Sequence, residues 1–154
     1  MEQFQAGAER ELTLHVRQIA WLGTAPRPRE TGRKNAPKPE KRETRAEEMK
    51  RQGIERKLPP VRLPHLIEHL MEVGPVEITG MDRAAISWRE LEAWGRETAI
   101  RLRPWEKRLL RRLSAAYLAE SRAAEDPHRG APWSGPKTDK DRHAEDAALR
   151  SLLG

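Results

Sequence analysis

The sequence predicts an all-α protein: a small bundle of about three helices, with a disordered charged N-terminal linker and a flexible C-terminal tail. Three observations predict it. Residues 86–118, ISWRELEAWGRETAIRLRPWEKRLLRRLSAAYL, contain two consecutive helix-start signals. Apolar residues there and in residues 63–71 recur at helical period. Finally, 36% of the 154 residues are hydrophobic and 35% charged, with 12 prolines, so the core must be small. Polar and proline-rich segments bury too little apolar surface to offset the entropy of ordering the chain.

Residues 86–118 hold three of the five tryptophans and the only tyrosine. Ser87 and Glu90 have capping-box spacing: the hydroxyl accepts from a first-turn amide while the carboxylate reaches back to the cap N–H, which starts a helix at Trp88. Pro104 pre-sets φ at the first position of a second helix, and Glu106 puts an anion where the helix dipole favours one. In this second helix Trp105, Leu109, Leu113, Ala116 and Tyr117 trace one apolar stripe, with Lys107, Arg108, Arg111 and Arg112 on the other side. Trp88, Leu91 and Trp94 form a shorter stripe in the first helix, and Ile100 and Leu102 can plug the corner between the two. The predicted structural core is therefore Trp88, Leu91, Trp94, Trp105, Leu109, Leu113 and Tyr117, joined by Leu66 and Leu70 from the preceding helix.

These residues also carry a resemblance. The Ile86-Ser87-Trp88 entry, the Glu90-Leu91 and Ala93-Trp94 pairs, Leu102 with Pro104-Trp105-Glu106, and the run LLRRLSAAYL beginning at Leu109 resemble the small tail assembly chaperones of siphophage and prophage tail modules, counterparts of the lambda T protein. A looser similarity extends over residues 63–70. The resemblance implies a helper of tail morphogenesis whose partners are the tape measure protein, the major tail protein and a tail assembly chaperone encoded just upstream. It implies action in the cytoplasm of the host bacterium and absence from the mature virion.

The remaining elements follow in chain order. Residues 9–22 read as an N-terminal helix with Leu12, Val16 and Ile19 on one face and Gly23 ending it, which sets apart a unit at residues 1–23. Residues 24–60 are a charged, proline-rich linker with twelve basic and six acidic residues, an excess equal to the whole chain's net charge of +6. Interleaved glutamates make it a solvated tether rather than a nucleic-acid arm, and it has no aromatic residue on which bases could stack. Within it, residues 44–57 form at most a nascent helix. The hub spans residues 61–124: a helix over residues 64–73 bearing Leu63, Leu66, Ile67, Leu70 and Met71, a connecting loop over 76–85, and the two capped helices. Residues 125–154 are the tail, where Asp126-Pro127 starts a turn and residues 139–153 can form a short helix with Ala148, Leu149, Leu152 and Leu153 apolar. Trp21 and Trp133 are aromatic groups the small core does not require, so they are assigned as partner anchors together with Arg108, Arg111 and Arg112.

Several chemistries find no support. His65, Glu68 and His69 spell HLIEH, the H-x-x-E-H pattern, with both imidazoles on one helical face. No convincing third ligand accompanies them, so they are read as a polar helix flank with no metal, and the expectation is a non-enzyme without cofactors. No serine lies in a nucleophile elbow and no glycine-rich phosphate loop occurs. The chain has no cysteine, hence no thiolate chemistry. No apolar run reaches the length of a membrane span, and the acidic N-terminus lacks a signal-peptide pattern, so a soluble intracellular protein is expected. A basic helix after a tight corner is also what a helix-turn-helix DNA reader presents, and a small basic nucleic-acid-binding protein is the alternative function. Against it, no Asn, Gln or Ser stands beside Arg101 to Arg112 to read base edges, so no specific nucleic-acid partner is expected.

Overall fold

The computed structural model describes residues 1–28, 41–135 and 139–154, omitting the side chains of residues 139–141 and 145. Residues 29–40 of the predicted linker and 136–138 of the predicted tail lie outside the described residues. The chain is mostly helical, in the order α1 (Glu2–Leu22), α2 (Arg45–Arg51), α3 (Pro64–Val73), a hairpin β1 (Glu77–Thr79) and β2 (Asp82–Ala84), α4 (Trp88–Thr98), α5 (Pro104–Ala123) and α6 (Asp139–Leu153).

Helix α1 begins seven residues before the predicted start, and it is not a marginal appendage. Ala8, Leu12, Val16 and Ala20 recur every fourth residue and are buried as a continuous column. Small residues at Ala6, Gly7 and Ala8 hide the first two turns from a search for large apolar residues. This column packs chiefly on α5. Arg112 of α5 bonds Glu9 at 2.7 and 3.1 Å, and Glu120 of α5 accepts from Arg17 at 3.1 Å. Both pairs are separated by 103 positions, so α1 and α5 run parallel in one register. A short loop cannot join parallel neighbours, and the intervening segments serve as the return path.

The core unites Leu12 and Val16 with Leu66, Ile67, Leu70, Ile86, Leu91, Leu109, Leu110 and Leu113. The four predicted aromatic core positions differ in kind from these leucines. Trp88 is 48% exposed, because as the first residue of α4 it turns outward. Trp94 is half-buried, and Trp105 and Tyr117 pack on the rim of the cluster. Conversely Leu110 and Ser114 are fully buried although they lie beside the predicted stripe, because α5 is covered on more than one side. Ser114 shows what covers it: the Ile86 N–H donates to its hydroxyl at 2.8 Å, and the hydroxyl donates to the Pro75 carbonyl at 2.8 Å. One buried side chain thereby satisfies both ends of the segment between α3 and α4.

That segment contains an antiparallel hairpin where a loop was expected. The register is Glu77 with Ala84, Ile78 with Arg83 and Thr79 with Asp82, closed by Gly80 and Met81. Gly80 sits at the first loop position with φ 61, which glycine adopts without steric cost. Three-residue strands cannot stand alone. The hairpin is held by Arg122 of α5, which donates to Asp82 at 3.3 Å and the Arg83 carbonyl at 3.1 Å, and by Glu77, which accepts from the Ser87 N–H at 3.1 Å. The last bond replaces half of the predicted capping box: Ser87 accepts from the Glu90 N–H at 3.2 Å, but its own N–H goes to Glu77 instead of Glu90. Glu106 does reach back, accepting from the Arg103 N–H at 2.7 Å.

The predicted linker is also partly structured. Thr44 and Glu47 form a reciprocal capping box that opens α2, and Arg45 is only 6% exposed. Further on, His15 of α1 donates to the Pro59 carbonyl at 2.6 Å, and Glu11 accepts from the Arg62 N–H at 3.2 Å and pairs with its guanidinium at 2.9 Å. These contacts lay residues 59–62 across α1, so residues 1–23 share their core and their polar contacts with the hub rather than forming a separate unit.

Helix α4 ends at Ala99 in the left-handed region, φ 56 and ψ 21, the one non-glycine residue with positive φ among the described residues. A Cβ there costs about 1–2 kcal/mol that glycine avoids, less the extra freedom glycine has when unfolded. Ala99→Gly is therefore expected to stabilise the fold by roughly 0.5–1 kcal/mol and raise Tm by about 1–4 °C in a thermal melt. A lower Tm would show that the corner does not hold this conformation.

Candidate binding surfaces

The two tryptophans assigned as partner anchors are both engaged within the molecule. The indole N–H of Trp21 donates to the Arg129 carbonyl at 2.9 Å, and the Arg45 guanidinium lies over its ring at 4.7 Å. Trp133 is half-buried, and its backbone N–H donates to the side chain of the buried Gln18 at 3.1 Å. Proline-rich composition suggested a free tail, yet residues 125–135 lie back on α1 because each of these contacts offers a partner to an otherwise unmet polar group.

At the centre of this knot is Glu120, 2% exposed. Its carboxylate accepts from Arg17 Nε at 3.1 Å and from Arg129 Nε and Nη2, both at 3.1 Å. A carboxylate that deep must be paired and hydrogen-bonded to remain charged. The pairing pushes the Arg129 guanidinium above its ordinary pKa, through the hydrogen bond to Glu120 first and its charge second. Arg45 completes the arrangement by donating to the Asp126 carbonyl at 2.9 Å. Burial pushes its pKa down, against the opposing charges of Glu120, Asp126 and Glu48. None of Gln18, Arg45, Glu120 or Arg129 was identified from sequence. A usable signal existed for one: Glu120 continues the stripe of Leu109 and Leu113, and an acid on an apolar stripe needs a cation brought by another element.

The basic residues of α5 divide. Arg112 is committed to Glu9. Arg111 donates to the Ile86 carbonyl at 3.2 Å while its guanidinium covers the exposed Trp88 ring at 4.8 Å. Arg108 is exposed and enters no ion pair among the described residues. The predicted quartet is therefore not a uniform solvent-facing row, since two of its members hold the fold together.

His65 and His69 do share a face of α3, their ring centroids 5.9 Å apart, and the His69 ring packs on Trp94 at 5.1 Å. Among the described residues no three His, Cys, Asp or Glu side chains converge as a metal cluster would. No helix among them is long and apolar enough to cross a membrane.

Several large apolar residues are also exposed. At the hairpin Ile78 is 77% exposed and Met81 fully so. Leu149, Leu152 and Leu153 of α6 are likewise exposed. Beside the corner between α4 and α5 lies an open groove of about 400 Å³ walled by Leu91, Trp94, Ile100 and Leu102. Comparison with protein-family models, curated proteins and solved structures gives no match to this chain.

The polar knot makes a quantitative prediction. Arg17 and Arg129 side chains are 38% and 41% exposed, so once unpaired they can turn to water, which tempers the penalty of a broken buried pair. Glu120→Ala should cost about 1–3 kcal/mol in urea denaturation and open the Arg129 peptide bond to trypsin. A loss under about 0.5 kcal/mol, the scale of a neutral surface change, would mean the carboxylate does not hold α1 and the C-terminal segment together.

Proposed function

We propose that this protein is a non-enzymatic binding protein that acts as a phage tail assembly chaperone, engaging the tape measure protein and tail tube subunits during tail morphogenesis. The observation that carries the binding part is the distribution of apolar surface: Ile78, Met81 and the leucines of α6 stand exposed on a chain with little apolar material to spare. Contiguous or clustered exposed apolar groups mark interaction sites. The tail-specific part rests on the resemblance in residues 86–118, which here form α4, the corner and α5. A tape measure protein is long, helical and striped with apolar residues, and a helper must cover those stripes reversibly until tail subunits replace it. In this role the protein works beside an upstream-encoded partner in the host cytoplasm and leaves before the virion is complete.

The arms of the chain contribute less freely than composition suggests. Trp21 serves the fold and Trp133 is half-buried, so the hairpin tip, α6 and the corner groove are the surfaces assigned to partners. Co-expression tests the assignment. With the tape measure protein and the upstream partner, the intact chain should increase the recovered soluble tape measure protein several-fold, and Ile78→Asp with Met81→Asp should reduce that gain while leaving the fold intact. Equal recovery with and without the chain would overturn the chaperone reading; a salt-resistant footprint on one DNA sequence would replace it with a nucleic-acid function.

A further inference from the structure

The groove beside the α4–α5 corner combines two features that point to one kind of ligand. Its floor is apolar, made by Leu91, Trp94, Ile100 and Leu102. Its rim is cationic, with Arg96, Arg101 and Lys107 opposed by Glu92. Among the described residues Arg101 and Lys107 enter no ion pair, and Arg96 reaches only its exposed neighbour Glu97, at 4.0 Å. The Trp94 ring lines the groove, while its indole N–H is buried out of reach of solvent, without an acceptor among the described residues. Gly95 keeps the corner tight: a Cβ there would stand 3.2 Å from the Ile100 carbonyl oxygen.

We infer that this groove docks an acidic amphipathic helix of a partner protein. Its apolar side chains rest on Leu91, Trp94, Ile100 and Leu102, and its carboxylates meet Arg96, Arg101 and Lys107. Apolar anchors seated in a groove with complementary charges at its edge are the usual way a helix is recognised. The exposed leucines of α6 from a second copy are the competing occupant. They fit less well, because α6 is nearly neutral, with Asp139, Asp141, Glu145 and Asp146 set against Lys140, Arg142 and Arg150, and its one charge among Leu149, Leu152 and Leu153 is the cation Arg150. The inference deepens the binding role proposed above by naming the partner's chemistry, and it rests on that role for the existence of such a partner.

The test uses the full chain, labelled with nitrogen-15, and two synthetic amphipathic helices built of Leu and Ala with either Glu or Lys as the charged residue. The Trp94 indole resonance, assigned with Trp94→Phe, reports the groove. The Glu helix should bind roughly ten-fold or more tightly than the Lys helix, move that resonance, and lose affinity as salt rises. Arg96→Glu with Arg101→Glu, both at exposed positions, should reverse the preference. Equal binding of the two helices, or shifts confined to residues outside the groove, would overturn the inference. A synthetic peptide of residues 139–154 that bound more tightly than the Glu helix would also overturn it, assigning the groove to a second copy. The peptide comparison on the unaltered chain stands even if a variant is unstable. It involves no tail protein, so its failure is distinct from failure of the co-expression test.

Discussion

The parallel seam between α1 and α5 is the constraint on which the other elements depend. Two parallel helices in register cannot be connected directly, so described segments between them serve as the return path along the pair. Helix α3 does this by burying Leu66, Ile67 and Leu70 against the seam, and residues 59–62 do it by crossing α1 on His15 and Glu11. The seam is apolar along its centre, and that burial supplies the stabilisation. Glu9 with Arg112 and Glu120 with Arg17 fix which turn meets which; the exposed Glu9 pair contributes register more than energy, whereas the Glu120 carboxylate is buried and needs its partners.

Glu120 extends that logic beyond the two helices. By also holding Arg129, it draws the segment after α5 back toward α1, where Trp21 and Gln18 offer further bonds. Arg45 enters from the opposite direction in sequence, stacking on Trp21 and capping the Asp126 carbonyl. Three stretches distant in sequence, α1, Arg45 and residues 120–133, thus converge on one polar knot. The Trp21 indole is used up inside it, and the segment carrying Trp133 is tied to it through its backbone.

How much of this the sequence disclosed depended on whether the cause was local. Helices α3, α4 and α5 were legible to within a residue or two, because Pro64, Ser87 and Pro104 start them through contacts within one turn. The start of α1 was not, because alanine and glycine bury as well as leucine only when another helix comes close, as Ala8 does. Leu110 and Ser114 escaped notice for the same reason: one periodic stripe can be read from sequence, but a second covered side depends on what packs there. The hairpin was hidden by its shortness, since its stability comes from Arg122 and Glu77 rather than from its own strands. Trp88 misled in the opposite direction, because its size suggested burial while its position at the first turn of α4 faced it to solvent under Arg111. In the site, Leu91 and Trp94 are legible as stripe residues and Ile100 and Leu102 as the corner plug, whereas the cationic rim is dispersed among charges that sequence alone cannot place on one edge.

The central claim is that α1 belongs to the same cooperative unit as α5. Native-state hydrogen exchange measures it directly. The amides of Leu12, Val16 and Ala20 should exchange with the same opening free energy as those of Leu109 and Leu113, and that value should equal the global unfolding free energy from denaturation. If the α1 amides instead exchanged through a much lower-energy opening while α5 stayed protected, α1 would be a detachable arm and the parallel seam would not organise the fold.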